Sequence, residues 1–377
     1  MAGERQRRYT HQRMNKQTSN NSQVRGEQVA NPPYQSIKLG LDVHADSIRV
    51  VRILDGATPQ PAQRFKPAEF LSWAAKQLGL ARQVFSCYEA GPFGYGLHRQ
   101  LTQRGVHNYV VRPLALNDFG NRVNTDKTDA LALALRLDRY VNGNKKALAL
   151  VRVPTPLEEQ QRVESRQRQQ LKREHKRLAA QGRSLLLSQG WREKGAWWKA
   201  SRWSRLEREL PGWLKERLGV FRTLLATVQT LLDQATRTLA AAAPQSLPRG
   251  LGGLTFETLT REVGTWARFA NRKQIGSYTG LCAGVSSSGL WTRMLPITKH
   301  GNPRLRAALM ELAWRLLRWQ SQCRAVQKWK SRLLDPKASA GTRKKAIVAL
   351  ARQLAIDLWR WQTGRASPQE LGWQMNG

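Results

Sequence analysis

Four carboxylates follow one another in an order that could gather them at one point: Asp42, Glu89, Asp126 and Asp129. Transfer or hydrolysis of a phosphodiester requires charge to be neutralised on both the attacking and the leaving oxygen. Two divalent ions about 4 Å apart, held by carboxylates, do this. An all-oxygen donor set suits Mg²⁺ or Mn²⁺ and does not suit zinc. Each acid also has a plainer use, since Asp126 could cap a helix N-terminus and Asp129 could complement its dipole. The surrounding charge favours the metal site. The chain has 63 Lys and Arg against 26 Asp and Glu, a formal net charge of +37 over 377 residues. Acids gathered at one point of so basic a chain imply a metal centre working on a polyanion. His44 lies two residues beyond Asp42 and would share its side of an extended strand. It is either a general acid or metal neighbour, or a solvated turn histidine.

Such a site needs strands and helices to carry the acids to one place. Ile37–Asp42 and Ser47–Leu54 alternate like strands, and Gln63–Lys66 is a short third. Pro67–Leu80 has helical periodicity through Phe70, Leu71, Ala74 and Leu78. Strands over Gln83–Tyr88 and His107–Arg112 alternate with helices over Gly91–Arg104 and from Thr125 to about Tyr140. The order βββαβαβα is that of the ribonuclease H-like fold. It puts Asp42 at the end of the first strand and Glu89 at the end of the fourth. Asp126 and Asp129, three residues apart, share one face of the first turn of the last helix.

Beyond this unit the chain reads as helical. Val153-Pro154-Thr155-Pro156 marks a boundary, and a long helix with a basic stripe through Arg162, Arg166, Arg168, Lys172, Arg173, Lys176 and Arg177 follows. A tryptophan-rich patch (Trp191, Trp197, Trp198, Trp203, Trp213) interrupts it and forms core or interface, or else stacks on unpaired bases. From Leu214 through Leu218, Phe221, Leu225, Val228, Leu232, Ala235 and Leu239, apolar residues alternate spacings of four and three. That is a coiled-coil seam, expected to serve self-association, although two helices flanking the tryptophan turn could also pair within one chain. Phe269–Gly289 reads as short helix and loop. Gly301-Asn302-Pro303 opens a helix through about Trp319. An exposed basic stretch covers Lys328–Lys345, and a last helix runs from about Ala346 to Trp361. The expected domains are a flexible basic arm at residues 1–35, a catalytic unit at 36–150, a basic coiled-coil region at 151–243, and a mainly helical unit at 244–377. The expected class is thus α/β plus α.

The basic residues spread along the whole chain, which favours an extended nucleic acid as partner. No apolar run reaches membrane-spanning length and no secretion signal is apparent. Three widely separated cysteines, Cys87, Cys282 and Cys323, suit a reducing cytoplasm.

The chain resembles the DEDD insertion-sequence transposases, the family of bridge-RNA-guided serine recombinases related to the Piv DNA invertase. The likeness rests on collinear segments: Gly40-Leu41-Asp42-Val43-His44, Tyr88-Glu89-Ala90-Gly91-Pro92, Arg122 to Ala130 around Asp126 and Asp129, Val153 to Pro156, Gly280-Leu281, Ser287-Ser288-Gly289, Ile297 to Asn302, and Leu305-Arg306. The resemblance implies a RuvC-like N-terminal domain of RNase H fold, central coiled-coil helices and a C-terminal transposase domain. It implies that Asp42, Glu89, Asp126 and Asp129 hold Mg²⁺ (or Mn²⁺), and that Ser288, with Ser286 and Ser287 as neighbours in register, is the nucleophile. It further implies element-end and target DNA and a bridge RNA as partners, and a dimer or tetramer in which the two regions meet across subunits. This sequence departs from the pattern in lacking a proline before the serines, and Asn124 and Thr128 replace more usual basic residues.

Candidate contacts to nucleic acid are Arg122, Arg166, Lys172, Arg173, Arg304 and Arg306. Gly252, within Gly250-Leu251-Gly252-Gly253-Leu254, joins them, since glycine lets backbone approach a phosphate, although a plain helix cap reads the same way. Two rivals to a transposase remain: a RuvC-like metal-dependent nuclease that hydrolyses branched DNA, and a catalytically silent nucleic-acid-binding derivative.

Overall fold

A computed structural model describes residues 31–113, 126–289 and 291–376, the side chains of Asp126 and Lys127 excepted. Among these are eleven α-helices and seven strands in two compact units, divided between Val153 and Pro154. No helix among the described residues is long and apolar enough to cross a membrane.

In the first unit, β1 (Tyr34–Val43), β2 (Ile48–Leu54), β3 (Gln63–Phe65), β4 (Ala81–Glu89) and β5 (His107–Val111) form one sheet in the order β3-β2-β1-β4-β5. The first three strands run antiparallel, while β1, β4 and β5 are parallel. Parallel neighbours need helical crossovers. Two of these are α1 (Pro67–Leu78) and α2 (Gly96–Gln103), and α3 (Asp126–Val141) follows β5. β1 begins at Tyr34, inside the stretch expected to be a free arm. The centre of the sheet is apolar on both faces. Ile37, Leu39 and Leu41 pack with Phe70, Ala74 and Leu101 on one side, and Val51 and Ile53 meet Ala130 and Ala134 of α3 on the other.

Two features seat α3. A Cβ at Gly40 would strike the backbone at Ala130 and Ala134, so glycine lets the helix lie directly on β1. Lys38, buried in β1, makes an ion pair with Asp138 of α3 at 3.1 Å. A buried lysine is costly unless paired, so this contact fixes the register of helix on strand.

The second unit opens with α4 (Pro156–Ser188), whose start is set by a capping box between Thr155 and Glu158. α5 (Ala200–Glu209) follows, and α6 (Gly212–Ala241) folds back along α4. Leu214, Leu218 and Leu225 of the seam are buried with Leu178 and Leu186 of α4 and with Trp197 and Trp203. Of the two uses open to it, the seam takes the intramolecular hairpin in this chain. Its periodicity reported a packed face and left open which helix would meet it. The tryptophan patch supplies core. Trp197 is fully buried, and its indole donates to the Ala179 carbonyl at 2.9 Å through space left by Gly182.

The rest of the unit is α7 (Gly253–Val263), a 3₁₀ turn at Trp266–Arg268, α8 (Arg272–Tyr278), a hairpin of β6 (Ala283–Ser288) and β7 (Trp291–Ile297), then α9 (Pro303–Trp319), α10 (Arg324–Leu334) and α11 (Ala340–Gln362). Two expectations need correction. The loop expected to end at Gly289 contains a strand, and the basic stretch after Lys328 overlaps α10, which buries Ala325, Val326 and Leu333 beneath its lysines and arginines. α9 starts at Pro303 behind an Asn302 side-chain cap, as the Gly-Asn-Pro sequence predicts.

Candidate active site

Asp42 lies one residue before the end of β1, Glu89 ends β4, and Asp129 is on the first turn of α3. β1 and β4 are parallel neighbours, with Leu41 beside Tyr88, so their C-terminal ends bring Asp42 and Glu89 to one edge. The seating of α3 over Gly40 adds Asp129. These three acids, with Gly91, Pro92 and Phe93, line one cavity of about 160 Å³. The backbone of Asp126 opens α3, three residues before Asp129, while its side chain and all of Arg122 lie outside the described residues. Among the described residues no three His, Cys, Asp or Glu side chains stand close enough to hold one ion. The three placed acids share a cavity without closing a coordination shell by themselves. His44, half exposed, lies 3.0 Å from an Asp42 carboxylate oxygen through Nε2, a contact that spacing on an extended strand anticipates. Cys87, behind this edge, is fully buried. Burial and the nearby Glu89 push its thiol far up, leaving it protonated and inert.

Ser288 belongs to the second unit. It ends β6 opposite Trp291, at the tip of a hairpin turning through Gly289, whose φ is +52°. Alternation along the strand puts Ser286 and Ser288 on one face and Ser287 on the other. The Ser287 hydroxyl is taken, 3.1 Å from that of Thr292. Ser288 is exposed. The base of the hairpin is a crossing of two backbones. A Cβ on Gly280 (φ +66°) would strike the His300 carbonyl, and one on Gly301 (φ +125°) the Tyr278 carbonyl. Lys299 N–H donates to the Gly280 carbonyl at 3.1 Å and Thr298 N–H to that of Cys282 at 2.9 Å. The separated Gly280 and Gly301 segments of the sequence are therefore one structural feature.

The candidate nucleic-acid residues divide into two groups. Arg166 is committed to Glu262, donating twice at 3.0 and 2.9 Å to a carboxylate that is 1% exposed. Burial alone would raise the pKa of Glu262, but hydrogen bonds from Arg166 and Asn302 outweigh it and hold the carboxyl below its usual range. Arg306 donates to the Gly301 and Thr279 carbonyls and so braces the hairpin base. Lys172, Gly252 and Arg304 instead line a common cavity of about 620 Å³ between α4, α7 and α9. Arg304 donates there to Gln169 at 2.7 Å, and Gly252 is an N-cap without a side-chain cap. Arg173 is exposed on α4. Arg168 of the basic stripe lines the same cavity, and so does Arg315, which sequence reasoning missed. Arg315 lies far from Lys172 and Gly252 in sequence, so its place beside them is visible only once the helices that meet there are known.

Residues 245–328 match the family model described as the transposase IS116/IS110/IS902 family. Over 300 residues the chain is 32% identical to a Sinorhizobium fredii protein named as a transposase, y4rJ, spanning 72% of this chain and 75% of that protein. A second Sinorhizobium fredii protein of like name, y4qE, is 29% identical over 309 residues, spanning 73% and 74%. The transposase for insertion sequence element IS1533 of Leptospira borgpetersenii is 30% identical over 104 residues, spanning 26% and 30%. A mixed α/β unit with acids at one strand edge and a helical unit bearing a matched transposase segment define a transposase, an enzyme acting on DNA. The chain belongs to the IS116/IS110/IS902 family of insertion-sequence transposases.

Proposed function

We propose that this transposase cuts and rejoins DNA by transesterification, with Ser288 as nucleophile and the acids of the first unit as its metal centre. The observation that carries this is the placement of Asp42, Glu89 and Asp129 around one cavity at the C-terminal edge of β1 and β4. The sheet order β3-β2-β1-β4-β5, antiparallel then parallel, supports an RNase H- or RuvC-like unit. All the donors are carboxylate oxygens, a set that fits Mg²⁺ or Mn²⁺ in kind, and Asp126 at the head of α3 is the remaining ligand. A divalent ion held by these acids would supply charge neutralisation and Lewis acidity for phosphodiester chemistry.

The protein's own part is orientation and attack. The Ser288 oxygen forms an ester bond to phosphorus as the bond to the departing sugar oxygen breaks, the serine proton leaving and the sugar oxygen gaining one. Reversal by another strand end restores a phosphodiester without an external energy source. A serine is a weak nucleophile unassisted, so both units are required together. Exposure at a hairpin tip lets Ser288 reach a phosphate, and the Ser287–Thr292 contact supports Ser288 over Ser287. Bridge RNA and a dimer or tetramer complete the assignment. Lys172, Arg173, Gly252 and Arg304 serve as backbone contacts.

Covalent trapping tests this. Full-length protein is incubated with element-end DNA, flanking-region RNA and Mg²⁺, denatured, and the adduct mapped by mass spectrometry. An adduct on Ser288, lost in Ser288→Ala and in Asp42→Ala, is expected. Metal-dependent cutting without an adduct would replace the proposal with a hydrolytic nuclease.

A further inference from the structure

The start of α8 and the end of α11 enclose a cavity of about 750 Å³ that no step above uses. Its walls carry Arg272, Lys273, Arg352, Arg360 and Arg365, and no acid. Among the described residues none of these five side chains makes an ion pair or a side-chain hydrogen bond. Elsewhere in this unit several arginines are matched by carboxylates, as Arg166 is by Glu262, Arg261 by Glu257 and Glu164, and Arg202 by Glu193, and others donate to carbonyls or side chains, as Arg306 and Arg168 do. Two acids lie near the cavity without lining it. Asp357 is buried, which pushes its carboxyl up toward the neutral form, and Glu370 also feels the charge of Arg360. They answer one cation of the five.

Like charges brought to one concavity repel, and no carboxylate among the lining residues offsets that. Arg365 has a structural contact, its guanidinium 4.6 Å from the Trp359 ring. Trp359 is 5% exposed, and its indole N–H, also in the wall, has no acceptor among the described residues. Arg272, Lys273 and Arg352 are exposed; Arg352 lays its guanidinium against Gly276 of α8, and Arg272 and Lys273 have no such contact among the described residues. With its ring buried, Trp359 offers no platform for stacking a base. Besides the indole N–H, the polar groups lining the cavity are the five cations and the amides of Asn271 and Gln353. This preponderance of positive charge suits backbone phosphate better than base edges.

We infer that this cavity is a polynucleotide phosphodiester clamp, built on the C-terminal helix and separate from the cutting chemistry. DNA and RNA share the chemistry it recognises, and the test separates them. It does not depend on the serine mechanism, so all proteins below carry Asp42→Ala to prevent cutting. Arg272→Gln, Lys273→Gln and Arg352→Gln are combined in the full-length chain, leaving Arg360 and Arg365 in place. A matched control removes Lys337, Lys344 and Lys345, three exposed cations outside the cavity. Affinity for an arbitrary duplex DNA and for a single-stranded RNA is measured against salt, and folding is checked by circular dichroism and melting.

Each lost phosphate contact should reduce the slope of log K against log salt by about 0.9 on duplex DNA or about 0.7 on a single strand. A reduction of about two or more on either polymer, well beyond the control set, is expected. The polymer that shows it is the clamp's ligand. Slopes equal to the control on both polymers, with folding intact, would overturn the inference. So would intact polymer binding alongside loss only of thermal stabilisation by inorganic pyrophosphate, since the cavity would then take a small anion.

Discussion

The three adjacent serines are chemically alike, and the strand separates them. Ser287 points away from the face shared by Ser286 and Ser288, and its hydroxyl is held by Thr292. Ser287→Ala should therefore keep adduct formation within a few-fold of the unaltered protein, while Ser288→Ala abolishes it. Loss of the adduct in Ser287→Ala with retention in Ser288→Ala would move the nucleophile by one residue. His175 offers a test of a different kind. Its ring meets Trp198 edge-on at 5.3 Å, and its Nε2 is buried with no hydrogen-bond partner among the described residues. Burial lowers its pKa, and Asp233 offsets this only in part. With the folded value below the unfolded value of about 6.5, the unfolded chain takes up a proton the folded ring declines. The stability associated with the neutral ring is thus complete above about pH 6.5 and falls as pH drops. His175→Phe keeps an aromatic edge against Trp198 and should flatten the dependence of Tm on pH between about pH 5 and 7. An unchanged slope would show that other groups set it.

At the scale of elements, the site depends on how α3 rides on β1. Gly40→Ala puts a methyl into the backbone of Ala130 and Ala134, and that neighbour cannot yield as a flexible side chain would. The expected result is displacement of α3, loss of at least about 2 kcal/mol of stability, and loss of metal-dependent cutting even though all four acids remain. The check is urea unfolding together with the cutting assay, and Gly40→Ala with normal stability and activity would remove α3 seating as the determinant. The elements of this unit were legible in the sequence because its helices keep one buried side at helical period, and its central strands are short apolar runs, buried on both faces and bounded by turns and helices. Asp42, Glu89 and Asp129 reach one cavity for that reason. The β6–β7 hairpin was not legible. It is exposed on both faces, with Val285, Trp291 and Met294 more than half exposed, so it shows no alternation of apolar and polar residues. Pro296 within β7 argues further against a strand. The α6 seam was read correctly as a packed face, but periodicity carries no information about the partner, and α4 of the same chain takes that place. The cationic cavity of α8 and α11 was illegible because its residues lie some 80 positions apart, a proximity only the fold creates.

At the scale of the molecule, each unit has buried clusters of its own among the described residues. The sheet cluster around Ile37, Leu39 and Leu41 and the helical clusters around Leu309, Leu350 and Trp197 share no residues, and the chain divides between Val153 and Pro154. Residues in separate cores do not share packing partners, so their mutational effects should add without coupling. Two destabilising substitutions probe this. Asp138→Ala leaves the buried Lys38 without its partner, a loss of about 3 kcal/mol or more. Trp197→Ala empties a fully buried site between α4 and α5, a loss of about 3–5 kcal/mol. Calorimetry of the full chain should show two transitions, with Asp138→Ala lowering one and Trp197→Ala the other, and the double variant lowering both by the sum of the single shifts. A single transition that moves with either substitution would mean that the units unfold together. The separate outcome has a consequence for chemistry. Asp138→Ala would then weaken the acid site while leaving salt-dependent nucleic-acid binding by the second unit intact, so cutting and holding would be lost independently.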